Sequence, residues 1–131
     1  MARAIGQFEV KMVPQDGDAQ DATLGRMSID KQFHGDLEAT SKGQMLTAGT
    51  SVKGSAGYVA VEKVSGNLHG RNGSFILQHT GTMTRGAPQL KSTVVPDSGA
   101  GELLGIIGEM TIKIDEGKHS YDFEYTLPEV L

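Results

Sequence analysis

Alternation of apolar and polar residues runs along almost the whole chain and constrains its fold more than any other feature. In residues 7–13, Phe8, Val10 and Met12 share one face and the intervening positions carry polar side chains. A period of two places successive side chains on opposite faces of an extended strand. Similar runs recur between turn residues, without the period of an α-helix. The pattern predicts an all-β protein.

The runs number about eight and are joined by links of hairpin length, which predicts a closed antiparallel barrel. They cover residues 7–13, 24–33, 38–50, 58–64, 74–84, 89–95, 109–115 and 119–126. A barrel suits them because the terminal runs carry few of the charges or prolines that protect a sheet edge. A two-sheet sandwich is the alternative. Turns are predicted at residues 14–18 and 66–73, and Lys31 is a charged residue on the apolar face of its run.

The length and composition limit the classes of protein to consider. A chain of 131 residues matches one domain, residues 1–131. It has no cysteine, which excludes disulfide scaffolds, thiolate metal sites and thiol nucleophiles. A net charge of -4 with no basic cluster argues against nucleic-acid and anionic-membrane partners. With no secretory signal and no long apolar stretch, we expect a cytoplasmic protein.

Two histidines are the main candidates for chemistry. His79 and His119 keep step with bulky apolar residues in separate runs, so both are expected to face the interior. Beside Glu62 or Glu102, a sheltered imidazole can act as a general acid or base near neutral pH. Structural core histidines are the alternative, and Glu62 could equally face solvent. The four histidines form no metal-binding pair, and no metal or other cofactor is expected.

The interior of a small barrel is either filled by side chains or holds one small ligand. The residues predicted to contact such a ligand are Tyr58, Phe75, Leu77, Tyr121 and Phe123. The leading hypothesis is a protein that binds a small apolar molecule. The alternatives are an isomerase- or cyclase-like enzyme that uses His79, His119 and a glutamate, and a solid-packed structural module. Apolar residues on both faces of residues 58–64 predict a homo-oligomer in each case.

Three stretches of the chain resemble a known family. They are residues 94–108, with Gly99-x-Gly101 followed by Gly105 and Gly108, and residues 75–83 and 119–125. They are similar to small uncharacterised bacterial proteins grouped with the allene-oxide-cyclase-like β-barrels, and the resemblance extends over nearly the whole chain. It implies an eight-stranded barrel with an internal cavity. The plant cyclases isomerise a fatty-acid epoxide, but their active-site residues have no matching positions here, so no catalytic role is carried over.

Overall fold

The computed structural model describes residues 1–15 and 23–128, and every regular element in them is a β-strand. The strands are β1 (Ala2–Pro14), β2 (Leu24–Gly35), β3 (Leu37–Gly49), β4 (Ala56–Leu68), β5 (Arg71–Thr84), β6 (Ala87–Val94), β7 (Ala100–Gly101), β8 (Ile107–Asp115) and β9 (Lys118–Thr126). The all-β prediction is confirmed. The turn predicted at residues 14–18 lies outside the described residues from position 16 onward. In the described ranges, no helix could cross a membrane.

Eight of the strands form a closed antiparallel ring. From β1 to β6 each strand pairs with the next, β6 pairs with β8, β8 pairs with β9, and β9 returns to β1. The two-residue β7 adds to β5 as a ninth, short strand. The predicted barrel is therefore confirmed, and the sandwich alternative is wrong because pairing continues around the whole ring.

The link between β4 and β5 is shorter than the sequence predicted. Residues 66–68 and 71–73 belong to the strands, and only His69 and Gly70 form the turn. Gly66 pairs with Gly73, and a Cβ at Gly66 would lie 2.3 Å from the carbonyl oxygen of Glu38. The glycine at position 66 is therefore required by the close approach of β3, and it does not mark a turn.

One half of the barrel interior is filled with apolar side chains. This half adjoins the end of the barrel that carries the β2–β3 and β4–β5 turns, which we call the closed end. The largest apolar side chains buried there are Phe33, Leu37, Leu68, Phe75, Leu77, Leu103, Ile106 and Phe123. The rings of Phe75 and Phe123 stack with their centroids 5.5 Å apart. Because close-packed interiors have few voids larger than a water molecule, the described side chains of this half leave no space for a ligand.

Among residues 1–15 and 23–128, nothing covers the other half of the interior, which is open to solvent. It adjoins the β3–β4, β5–β6 and β8–β9 turns, which form what we call the open end. Apolar side chains on the inner face of this half are partly exposed, and they include Met12, Met27, Met45, Tyr58, Met83 and Ile114. The exposed fraction is 46% for Met12, 44% for Met83 and 67% for Ile114. The barrel thus combines a filled half with an open half that has an apolar wall.

Candidate functional site

Five polar side chains meet inside the barrel, between the filled half and the open half. We call Lys31, Ser41, Glu62, His79 and Ser92 the interior polar cluster; they project in that order from β2, β3, β4, β5 and β6. The side chain of Glu62 is fully buried, and those of His79 and Lys31 are 4% and 8% exposed. Charged groups are rarely buried without partners because their desolvation is costly.

The carboxylate of Glu62 is the centre of the cluster. Its Oε2 accepts hydrogen bonds from Lys31 Nζ at 2.7 Å and from His79 Nε2 at 2.6 Å. Its Oε1 accepts a hydrogen bond from Ser41 Oγ at 2.8 Å. His79 Nδ1 lies 2.6 Å from Ser92 Oγ. Four of the eight strands of the ring, β2 to β5, are therefore joined directly through one buried anion, and β6 is joined to them through His79.

The pKa of Glu62 shows which charge state this arrangement favours. Burial raises the pKa of a carboxyl group, but the hydrogen bond from His79 and the positive charge of Lys31 outweigh burial here and lower it to about 2. Glu62 is therefore an anion at neutral pH. A carboxylate with so low a pKa is a weak proton acceptor, so its role is to orient Lys31 and His79.

The partners of His79 define its proton positions when the ring is neutral. A carboxylate can only accept, so Nε2 carries the hydrogen that bonds to Glu62. Nδ1 then accepts the hydroxyl hydrogen of Ser92. A serine, histidine and carboxylate in such a chain form the arrangement that activates a serine nucleophile. Ser92 is only 1% exposed, however, so a substrate has little access to its oxygen.

Small residues make room for the cluster on the inner face. Gly43 pairs with Glu62, and a Cβ at Gly43 would lie 2.1 Å from the carbonyl oxygen of Val61 and 2.6 Å from Cα of Glu62. No side chain fits in that space. The inner face of β3 also carries Ala39 and Ser41, so this strand has few bulky apolar side chains on its inner face.

Lys31 occupies the position that broke the apolar alternation of β2. It lies on the inner face with its ammonium 2.7 Å from Glu62 and 4.9 Å from the centroid of the Phe8 ring. The exception in the apolar alternation of β2 was therefore the signal in the sequence for this site. Ser41 and Ser92 were missed, because a serine on an inner face has no distinctive sequence signal.

The four predicted catalytic residues do not form one site. His79 and Glu62 belong to the interior polar cluster. His119 lies half-buried on the inner face of β9, with its ring centroid 5.2 Å from that of Phe8, and no hydrogen bond among the described residues joins it to the cluster. Glu102 is exposed at the closed end, where its Oε1 accepts a hydrogen bond from the amide of Asn72.

Most of the predicted ligand contacts lie in the filled half of the interior. Phe75, Leu77 and Phe123 are at most 1% exposed. The hydroxyl of Tyr121 accepts a hydrogen bond from the amide of Leu37 at 2.9 Å, which ties it to the β2–β3 turn. Only Tyr58 lies in the open half, half-buried. Alternation identified the inner face correctly, but it does not show which half of a barrel is filled.

The outer surface contributes two further observations. Val59 and Val61 point outward from β4 and are each 50% exposed, so the apolar second face of this strand is uncovered within the chain. A surface cavity of about 1080 Å³ at the closed end is lined in part by Arg71, Glu102 and Pro128. The chain beyond Pro128 is not described, so this volume gives no indication of a ligand. In the described ranges, no three histidine or acidic side chains converge as metal ligands.

Comparisons with known proteins show to which family this barrel belongs. Residues 4–125 match the family described as protein of unknown function (DUF3224). A crystal structure from Shewanella oneidensis MR-1, described as a protein with unknown function from the same family, is 51% identical and has a TM-score of 0.94 over 99% of both chains. No curated protein matches significantly. The resemblance to allene-oxide-cyclase-like barrels stays a prediction, and the chain belongs to the DUF3224 family.

Proposed function

We propose that this protein binds a small, largely apolar molecule in the open half of its barrel. The observation that carries the proposal is the exposure of apolar side chains on an inner face, where a filled barrel would bury them. Met12, Leu90 and Ile114 are 46%, 40% and 67% exposed although their positions on the strands are inward. Covering such surface is favourable by about 25 cal/mol for each Å² removed from water.

The composition of the wall also supports a ligand site. Four of the six methionines of the chain, Met12, Met27, Met45 and Met83, lie on the inner face of the open half. Methionine has three rotatable bonds and a polarizable sulfur atom, so it adapts to ligands of different shape. The interior polar cluster forms the inner boundary of this space and supplies a polar contact to an otherwise apolar molecule.

A pair of neighbouring substitutions tests the proposal. Met45 points into the open half and Leu46, the next residue on β3, points outward and is 57% exposed. Binding of the neutral fluorophore N-phenyl-1-naphthylamine is measured for the wild type, Met45→Trp and Leu46→Trp. The inner tryptophan should occupy the ligand space and reduce affinity about tenfold or more, whereas the outer one should leave it unchanged.

The proposal fails if the fluorophore does not bind, or if both substitutions reduce its affinity equally. Native mass spectrometry of freshly purified protein complements this test. A small molecule that is retained by the wild type and lost from Met45→Trp would identify the natural ligand class.

A second candidate function is acid–base catalysis by His79, as in an isomerase or cyclase-like enzyme. The hydrogen-bonded series from Ser92 through His79 to Glu62 favours it, because such a series fixes the ring and its proton. A molecule recovered by native mass spectrometry is incubated with the wild type and His79→Gln. Conversion by the wild type alone, with equal binding by both, would support an enzyme. Binding without conversion would support the binding protein.

A further inference from the structure

We propose that the ligand is an uncharged molecule with one oxygen atom that accepts a hydrogen bond from the ammonium of Lys31. This inference rests on the proposed function and adds the class of the ligand. It excludes pure hydrocarbons and carboxylates as preferred ligands. The expected class is therefore ketones, alcohols and ethers with an apolar body.

Lys31 is the member of the cluster whose donors are incompletely used. An ammonium group has three N–H donors. One bonds to Glu62, and the rings of Phe8 and Phe33, with centroids 4.9 Å and 5.8 Å from Nζ, face the ammonium in cation–π contacts but offer it no oxygen or nitrogen acceptor. Among residues 1–15 and 23–128, the ammonium donates no further hydrogen bond. The side chain is only 8% exposed, so water replaces the missing acceptor poorly.

The other donors of the cluster are already used. Ser41 donates to Oε1 of Glu62, and His79 donates through Nε2 to Oε2 of the same carboxylate. The hydroxyl hydrogen of Ser92 bonds to His79 Nδ1. No buried side-chain nitrogen or oxygen in the described part of the chain lacks a partner altogether. An arriving oxygen atom would therefore find its donor on Lys31.

The location of Lys31 makes this donor accessible from the open half. On the inner face of β2, the next positions toward the open end are Ile29 and Met27. Val10 of β1 pairs with Lys31 and is half-buried. Ile29 is itself only 3% exposed, so a ligand would pack its apolar body against the partly exposed Val10 and Met27 and present its other end to the ammonium.

The charge of the cluster selects an uncharged ligand. Within the cluster, the positive charge of Lys31 is paired with the negative charge of Glu62 at 2.7 Å. A ligand carboxylate would add a second anion beside a fully buried one, and like charges at short range repel strongly where the dielectric constant is low. A carbonyl or hydroxyl oxygen satisfies the donor without this cost.

Three probes of nearly equal shape test the inference. All three contain a phenyl ring and a two-carbon spacer. The spacer is followed by an ethyl group in butylbenzene, a methyl ketone in benzylacetone and a carboxylate in hydrocinnamate. Their dissociation constants are measured by calorimetry. We expect benzylacetone to bind about tenfold more tightly than butylbenzene, as one hydrogen bond to a charged donor allows, and more tightly than hydrocinnamate.

Variants then identify the donor. Lys31→Met leaves the carboxylate of Glu62 without its ion pair, so the double variant Lys31→Met/Glu62→Gln, which removes both charges together, is also measured. Either variant should lose the tenfold advantage of the ketone and keep its affinity for butylbenzene. Lys42→Met, at an exposed outer position of β3, should keep the advantage.

The outcomes separate this inference from the proposed function. The inference is overturned, while ligand binding stands, if the ketone and the hydrocarbon bind with equal affinity or if the carboxylate binds most tightly. It is also overturned if the ketone keeps its advantage in the variants that lack Lys31. Failure of all three probes to bind would overturn both proposals.

Discussion

Removal of the Lys31 ammonium is the perturbation whose cost follows most directly from the structure. Lys31→Met keeps an unbranched side chain of similar length and removes the ion pair at 2.7 Å from a fully buried carboxylate. Breaking a buried ion pair at one partner costs about 3–5 kcal/mol, because the remaining charge is left desolvated. The hydrogen bonds from His79 and Ser41 remain, so we expect the variant to fold with a large loss of stability.

The size of the loss makes it easy to measure. For a domain of 131 residues, 1 kcal/mol corresponds to roughly 4 °C in Tm, so the expected decrease is roughly 12–20 °C. The free energy of unfolding is measured by urea titration at pH 7, with thermal unfolding as the second readout. Lys42→Met is the matched control, and its change should stay within about 0.5 kcal/mol.

The double variant Lys31→Met/Glu62→Gln separates the unpaired charge from lost packing. A neutral amide can still accept from His79 and needs no counter-ion, so the double variant should recover most of the stability that the single variant loses. The account of the cluster is refuted if Lys31→Met loses no more stability than Lys42→Met. It is also refuted if the double variant is less stable than Lys31→Met.

The acidity of Glu62, the packing of Tyr58 and the hydrogen bond of Ser92 can each be tested separately. The pKa of Glu62 in the folded protein, about 2, lies below its usual value of 4.5. Ionised Glu62 therefore contributes up to about 3 kcal/mol to the free energy of unfolding above pH 4.5, and this contribution is lost as the pH falls toward 2. Acid unfolding of the double variant should lack this component. Gly81→Ala places a Cβ 2.4 Å from the Tyr58 ring, so it should lower the free energy of unfolding in urea by about 1–3 kcal/mol and weaken fluorophore binding. Gly57→Ala is its control, because the nearest atom to a Cβ there is 3.6 Å away. Ser92→Ala leaves His79 Nδ1 without its partner and should cost about 1–3 kcal/mol, and an unchanged unfolding free energy would contradict the assigned hydrogen bond.

The fold was predictable from the sequence because alternation marks both the strands and their inner faces. Alternation correctly put Phe75, Phe123 and His79 on inner faces, yet it gave no indication of the filled half. That division depends on Leu103 and Ile106, which lie between strands in a segment without alternation and are buried at the closed end.

The site was only half predictable, for a different reason. His79 stands out as a polar residue within an apolar run, and Lys31 carries the same signal on the apolar face of residues 24–33. Lys31 and Glu62 are 31 positions apart in the chain and lie on different strands, so no local sequence pattern encodes their contact. The homo-oligomer and the cytoplasmic location stay predictions.

The most direct test of ligand binding in the open half is methionine methyl NMR. The chain has six methionines: Met12, Met27, Met45 and Met83 line the open half, Met1 is 92% exposed, and Met110 is buried in the core. Protein labelled with carbon-13 at the methionine methyl groups is titrated with benzylacetone. We expect saturable shifts of the four open-half methyls, with Met1 and Met110 nearly unchanged. Shifts confined to Met1, or none at saturating probe, would contradict a binding site inside the barrel.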